Sequence, residues 1–112
     1  ESRRHDFYPL PEFSCLYSKN VPTFRGSEHD GYPFFKRPQY FSILTAAAYK
    51  HPPTNKDNRF EHKWRVKVRR KARVVLRTAI KEGDKCVVLS AWGCGAYSCP
   101  PFEIAESFFD VL

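Results

Sequence analysis

Long apolar runs and glycine are both scarce in this 112-residue chain. No stretch approaches the roughly 20 apolar residues that a membrane-spanning helix needs, and no signal-peptide pattern opens the chain. The five glycines form neither a phosphate-binding P-loop nor a GxGxxG dinucleotide fingerprint, which excludes the two standard nucleotide motifs. We therefore expect a soluble protein without a membrane partner.

Cysteine is also sparse, and its placement does not indicate disulfides or zinc. Without an export signal, the four cysteines are interpreted as free thiols of a reducing intracellular compartment, either cytoplasm or nucleus. No histidine stands near Cys94 or Cys99 at the spacing of a zinc site, so neither a metal nor a cofactor is expected. Cys94 as a nucleophile stays open as an alternative, because a helix N-terminus lowers the pKa of a thiol.

Acidic residues are outnumbered by basic ones, 12 to 19, which gives a net charge of +7. Ten of the 19 cations lie between residues 59 and 81. We interpret them chiefly as the solvated face of a helix. Attraction to nucleic acid is a less favoured alternative, since this stretch lacks interleaved aromatic residues suited to base stacking.

The length and composition of the chain predict a single domain, residues 1–112, with two parts of different composition. Residues 1–39 are rich in aromatic residues and proline, and proline disfavours a continuous central strand. This part therefore predicts short strands, as either a short extended segment or a hairpin that turns at Asn20 or Gly26. Residues 40–112 open with the uncharged run YFSILTAAAY, which is typical of a strand buried on both faces. The surface loop KHPPTNKDN follows it.

The clearest element is a helix predicted over residues 60–82. Asn58 is expected as its N-cap and Gly83 as its left-handed stop. An apolar stripe recurs along it at three- and four-residue steps, and its members are Phe60, Trp64, Val68, Ala72, Val75, Leu76 and Ala79.

The run CVVLS, residues 86–90, predicts a second buried strand after the helix. Strand, helix and strand together predict a βαβ unit with parallel strands. A final helix is expected from Pro101, which suits an early helical position. Its predicted buried stripe consists of Ile104, Ala105, Phe108 and Leu112.

The loop GCGAY, residues 93–97, follows the second predicted strand, and we interpret it as a phosphate-binding loop. Ligands of parallel sheets bind beyond the carboxyl ends of the strands, where the segment TAA, residues 45–47, would lie beside this loop. Glycine admits a ligand close to the backbone, and successive N–H groups hold anions. A tight turn that needs glycine for steric reasons alone is the alternative. The predicted ligand-binding residues are Thr45, Ala46, Ala47, Gly93, Cys94, Gly95, Ala96 and Tyr97.

The segment LSAWGCGAYSCPPFEIAESFFDVL, preceded by TAAAY and YSKNVPTFRG, resembles the microbial-type poly(ADP-ribose) glycohydrolases, a branch of the macro-domain superfamily. The resemblance covers about residues 7–112, with the segments in the same order. It implies a three-layer α/β/α fold with a mostly parallel sheet, of which this chain would be the C-terminal part. It also implies ADP-ribose or poly(ADP-ribose) on modified proteins as the ligand, with Tyr97 on the ribose side.

The activity implied by the resemblance is hydrolysis of ribose–ribose O-glycosidic bonds. The glycine-rich loop and Gln-Glu-Glu segment that carry this chemistry in the family have no counterpart in these 112 residues. We therefore expect no catalytic residue here and leave open whether the chain is an enzyme. A non-catalytic reader of ADP-ribose or a related nucleotide is the alternative.

Overall fold

The computed structural model describes residues 7–112 and contains two strands followed by two helices. β1 spans Leu16–Arg25 and β2 spans Phe34–Thr45, with one short 3₁₀ turn, Glu28–Asp30, between them. α1 spans His62–Glu82 and α2 spans Pro101–Phe109. Neither helix has the length and apolarity needed to cross a bilayer.

β1 and β2 form an antiparallel pair in which Leu16 lies opposite Thr45 and Arg25 lies opposite Phe34. β1 and β2 are ten and twelve residues long, longer than the short strands expected here, and each contains a proline, Pro22 in β1 and Pro38 in β2. Each strand of a two-stranded sheet has one edge without a partner, and a residue that lacks an N–H is tolerated there. The register shifts between residues 18 and 21 and again between 23 and 25, as at β-bulges.

The predicted three-layer, partly macro-domain-like fold with a mostly parallel sheet is wrong. Among residues 7–112 the structure is a small mixed α/β domain with a two-stranded antiparallel sheet. The βαβ unit fails because residues 86–90 form no strand, and Val88 is 93% exposed. An apolar run predicts burial, but a strand also needs a neighbouring backbone to bond, and within residues 7–112 no backbone group bonds to residues 86–89.

α1 confirms the predicted helix with a later start. Its N-cap is Glu61 rather than Asn58, which has a positive φ of 56° in the preceding turn. There the Asn55 side chain accepts the N–H groups of Asp57 and Arg59. Gly83 ends the helix in the left-handed conformation, at a φ of 83°, as predicted.

The buried face of α1 is the predicted stripe. Val68, Ala72, Val75 and Ala79 are buried, together with Phe60 just before the helix. Trp64 and Leu76, the remaining members, pack against the same core from partly exposed positions. The 3.6-residue period of the sequence therefore identifies this face correctly.

α2 begins at Pro101, as predicted, but only half of its predicted stripe is buried. Ile104 and Phe108 enter the core, whereas Ala105 and Leu112 are exposed. The inward face of α2 also contains Glu103 and Ser107, which are buried beside Ile104 and Phe108. A buried carboxylate therefore lies between the two helices.

That carboxylate belongs to Glu103, whose side chain has no exposed surface. Arg59 bonds it from the loop before α1, and Arg65 bonds it from the first turn of α1 at 3.1 and 3.2 Å. Burial raises the pKa of Glu103, but the hydrogen bonds and charges of Arg65 and Arg59 outweigh it and hold that pKa below the ordinary 4.5. This ion cluster joins the loop, α1 and α2.

Candidate functional site

The predicted site segments lie together in the structure. A cavity of about 330 Å³ separates residues 46–48 from the loop that follows residue 91. Six of the eight predicted residues line it, and Thr45 and Cys94 do not. The lining consists of Ala46, Ala47, Ala48, Trp92, Gly93, Gly95, Ala96 and Tyr97.

Hydrogen bonds, rather than neighbouring parallel strands, hold the two sides of this cleft together. The indole Nε1 of Trp92 donates to the Ala46 carbonyl at 3.0 Å. The His51 N–H donates to the Tyr97 carbonyl at 2.8 Å. The segment that follows β2, residues 46–51, is therefore bonded at both of its ends to the glycine loop and Trp92.

Lys71 supports the same segment from α1. Its Nζ donates to the Ala47 carbonyl at 2.9 Å and lies 4.5 Å from the centre of the Tyr49 ring. Desolvation lowers the pKa of this buried amine. The sequence did not identify Lys71, because its partner is 24 residues away and a lysine in a basic helix reads as a solvated cation.

The two glycines of the loop have different roles. Gly93 has a positive φ of 75°, and an added Cβ would lie 2.7 Å from the Cβ of Ala48 and 2.9 Å from the Sγ of Cys99. The steric alternative therefore applies to Gly93. No atom lies within 4 Å of a Cβ added at Gly95, so packing does not require glycine there.

The backbone of the loop is partly engaged. The Cys94 N–H donates to the Ala91 carbonyl at 3.0 Å and is not free to hold a ligand. Four other amides donate to no acceptor among residues 7–112. They are those of Gly93, Gly95, Ala96 and Tyr97, and all four residues line the cleft.

The start of α2 has its own acidic partner. Glu103 lies in the first turn of the helix, where a carboxylate complements the positive end of the helix dipole. The loop amides, and not the helix N-terminus, are therefore the groups that we assign to an anion.

The cysteines of this region are not suited to nucleophilic chemistry. All four cysteines are free thiols. Burial raises the pKa of Cys94, and burial together with Cys94 raises the pKa of Cys99. A raised pKa leaves little thiolate at neutral pH, which argues against Cys94 as a nucleophile.

Half of the ten cations between residues 59 and 81 are engaged within the chain. Arg59, Arg65, Lys67 and Arg69 pair with carboxylates, and Lys71 bonds a carbonyl. A nucleic-acid surface needs its cations free for phosphates. This engagement weakens the nucleic-acid alternative.

No aspartate or glutamate lines the cleft in the part of the chain that the structure describes. The arrangement therefore offers an anion several backbone donors and a small-residue wall, but no side chain that would donate a proton. No protein-family model, curated protein or solved structure matches this chain.

Proposed function

We propose that the cleft between residues 46–48 and 92–97 binds the diphosphate of ADP-ribose, either free or within poly(ADP-ribose) on modified proteins. The observation that carries this proposal is the set of loop amides without an acceptor, at Gly93, Gly95, Ala96 and Tyr97. Hydrogen bonds from N–H groups to an ionised oxygen are about twice as strong as those between neutral groups.

The size and lining of the cleft suit part of a nucleotide. Its 330 Å³ lies at the small end of the range of roughly 300 to 1,000 Å³ for ligand pockets. Alanine and glycine on its walls let a phosphate approach the backbone, and the net charge of +7 attracts an anion from a distance. Tyr97, at the end of the loop, is the residue that we assign to the ribose.

Residues 1–112 bind ADP-ribose in this proposal without cleaving it. Hydrolysis of a ribose–ribose bond needs an acid to protonate the leaving oxygen, and such help is worth about 100- to 10,000-fold in rate. In a glycohydrolase of the kind that the chain resembles, this acid would come from outside these residues.

Isothermal titration calorimetry of ADP-ribose into the 112-residue chain tests the proposal. Gly95→Glu places a carboxylate in the cleft, and we expect at least tenfold weaker binding without loss of stability, because no atom lies within 4 Å of an added Cβ. Ile80→Glu is the matched control, since it makes the same charge change on α1 at a side chain that is 75% exposed.

Three results would contradict the proposal: no heat with the unsubstituted chain, equal weakening by both variants, or adenosine binding as tightly as ADP-ribose. Release of ADP-ribose from the polymer by the 112 residues alone would contradict binding without cleavage.

A further inference from the structure

A second, larger cavity lies beside β2 and shares Ala46 and Trp92 with the glycine-loop cleft. It measures about 600 Å³, and its two walls are residues 40–44 of β2 and the segment 86–90 after α1. Val75, Trp92 and Phe108 also line it. We name it the β2 slot.

Both walls of the β2 slot carry backbone groups without partners. Within residues 7–112, β2 pairs with β1 alone, so its second edge has no ladder. Residues 86–89 take part in no backbone hydrogen bond in the same part of the chain. An unpaired sheet edge is a template for another strand.

Most of the side chains that line the β2 slot are apolar, and several of them are exposed. Phe41, Ile43 and Val88 are 53%, 45% and 93% exposed. Asp84 is the one charged residue among the 15 that line the slot, in a chain that is 28% charged. An occupant that complements these walls is therefore uncharged and apolar.

We propose that the β2 slot binds an extended, uncharged and apolar segment of a separate partner protein, which inserts as a strand between β2 and residues 86–90. Main-chain hydrogen bonds to both walls supply affinity, and side chains at alternate positions meet the apolar lining, as in other cases of strand addition. Five residues on each wall correspond to about 17 Å of strand at roughly 3.3 Å per residue.

A second copy of the chain is a poorer occupant, because its suitable segments are already in use. The two longest uncharged runs without proline are residues 39–49 and 86–99. These runs contain the walls themselves, so a copy that donated either one would dismantle its own slot.

Selection of a displayed library of random twelve-residue peptides against the 112-residue chain tests this proposal. We expect the enriched peptides to be uncharged, free of proline and apolar at alternate positions. Val88→Lys should weaken their binding at least tenfold, whereas Ile80→Lys, an exposed substitution on α1 outside the slot, should not. Hydrogen exchange should slow at residues 40–44 and 86–89 when an enriched peptide binds.

Several results would overturn the proposal. They are failure to enrich any peptide, enrichment of charged or proline-rich peptides, equal weakening by the two lysine variants, and protection confined to other residues. A dimer of defined size in light scattering, abolished by Val88→Lys, would assign the slot to a second copy instead. Because Val88 does not line the glycine-loop cleft, none of these results bears on ADP-ribose binding.

Discussion

The helical part of the molecule and its hairpin part use apolar residues in opposite ways. α1 and α2 bury Val68, Ala72, Ile104 and Phe108 against one another. The hairpin and residues 86–90 leave comparable side chains exposed, among them Tyr40 and Val88. A helix forms its hydrogen bonds within its own backbone, whereas a strand forms them with neighbouring strands, and an edge strand leaves one row of N–H and C=O groups without a partner. Within residues 7–112 the buried apolar residues therefore lie in and around the helices, and none lies in β1 or β2.

The largest loss of stability is expected at Gly93, where the glycine loop packs against Ala48, just after the hairpin, and against Cys99. Gly93→Ala forces a Cβ to within 2.7 Å of Ala48 and 2.9 Å of Cys99 at a positive φ. We expect a loss of roughly 2 to 5 kcal/mol in the free energy of unfolding, from the left-handed backbone and overpacking together. Urea denaturation followed by tryptophan fluorescence measures it.

Two other glycines separate these two causes. Gly83→Ala has the positive φ without a close atom, so we expect about 1 to 2 kcal/mol. Gly95→Ala has neither feature and should change stability by less than about 0.5 kcal/mol. Equal losses at Gly93 and Gly83 would show that the approach of Ala48 is unimportant.

Substitutions in the ion cluster test whether the buried pairs of Glu103 with Arg59 and Arg65 stabilise the packing of α1 against α2. Glu103→Gln leaves Arg59 and Arg65 without their shared carboxylate, and we expect the free energy of unfolding to fall by about 3 kcal/mol. This value is at the low end for a broken buried ion pair because both arginines are partly exposed. Glu106→Gln, at a carboxylate one-third exposed, should cost less than about 1 kcal/mol. Similar losses in the two variants would contradict a special role for burial.

Acid should remove the difference between Glu103→Gln and the unsubstituted chain. The folded pKa of Glu103 lies below 4.5, so its contribution to stability is present above pH 4.5 and is lost as the pH falls through the folded pKa. Urea denaturation at pH 7 and at successively lower pH values checks this. A gap in unfolding free energy that stays constant with falling pH would refute the assignment.

A smaller effect, on binding rather than on stability, is expected where α1 supports the cleft. Lys71→Met keeps the apolar stem but loses the hydrogen bond to the Ala47 carbonyl, and we expect about 1 kcal/mol less binding energy for ADP-ribose, roughly fivefold in affinity. Lys67→Met is the control, because Lys67 pairs with Glu12 outside the cleft lining. Calorimetry compares the two, and an equal change in both would remove Lys71 from the site.

The sequence predicted the features that depend on neighbouring residues. The stripe of α1, its stop at Gly83 and the start of α2 at Pro101 all follow from local spacing and backbone preference. The grouping of residues 46–47 with the glycine loop was also predicted, but for the wrong reason, since no parallel strands bring them together.

Features that depend on distant partners were missed. A hairpin was one of the two alternatives for the first part of the chain, but the antiparallel pairing of YFSILT with β1 could not be predicted, because the same apolar residues suit a parallel strand. The sequence predicts Glu103 as a helix surface residue, because its partner Arg59 is 44 residues away and only the fold brings the two together. The run CVVLS predicts burial from its own apolar residues, whereas Val88 is 93% exposed and residues 86–89 have no backbone hydrogen bond within residues 7–112.

Backbone amide chemical shifts during titration with ADP-ribose test the central claim most directly. In nitrogen–proton correlation spectra we predict the largest changes at the four loop amides that have no acceptor within residues 7–112, and a smaller change at Cys94, whose N–H already donates to Ala91. The four amides are those of Gly93, Gly95, Ala96 and Tyr97. Shifts confined to the arginines of α1, or spectra that do not change at saturating ADP-ribose, would contradict diphosphate binding by the loop.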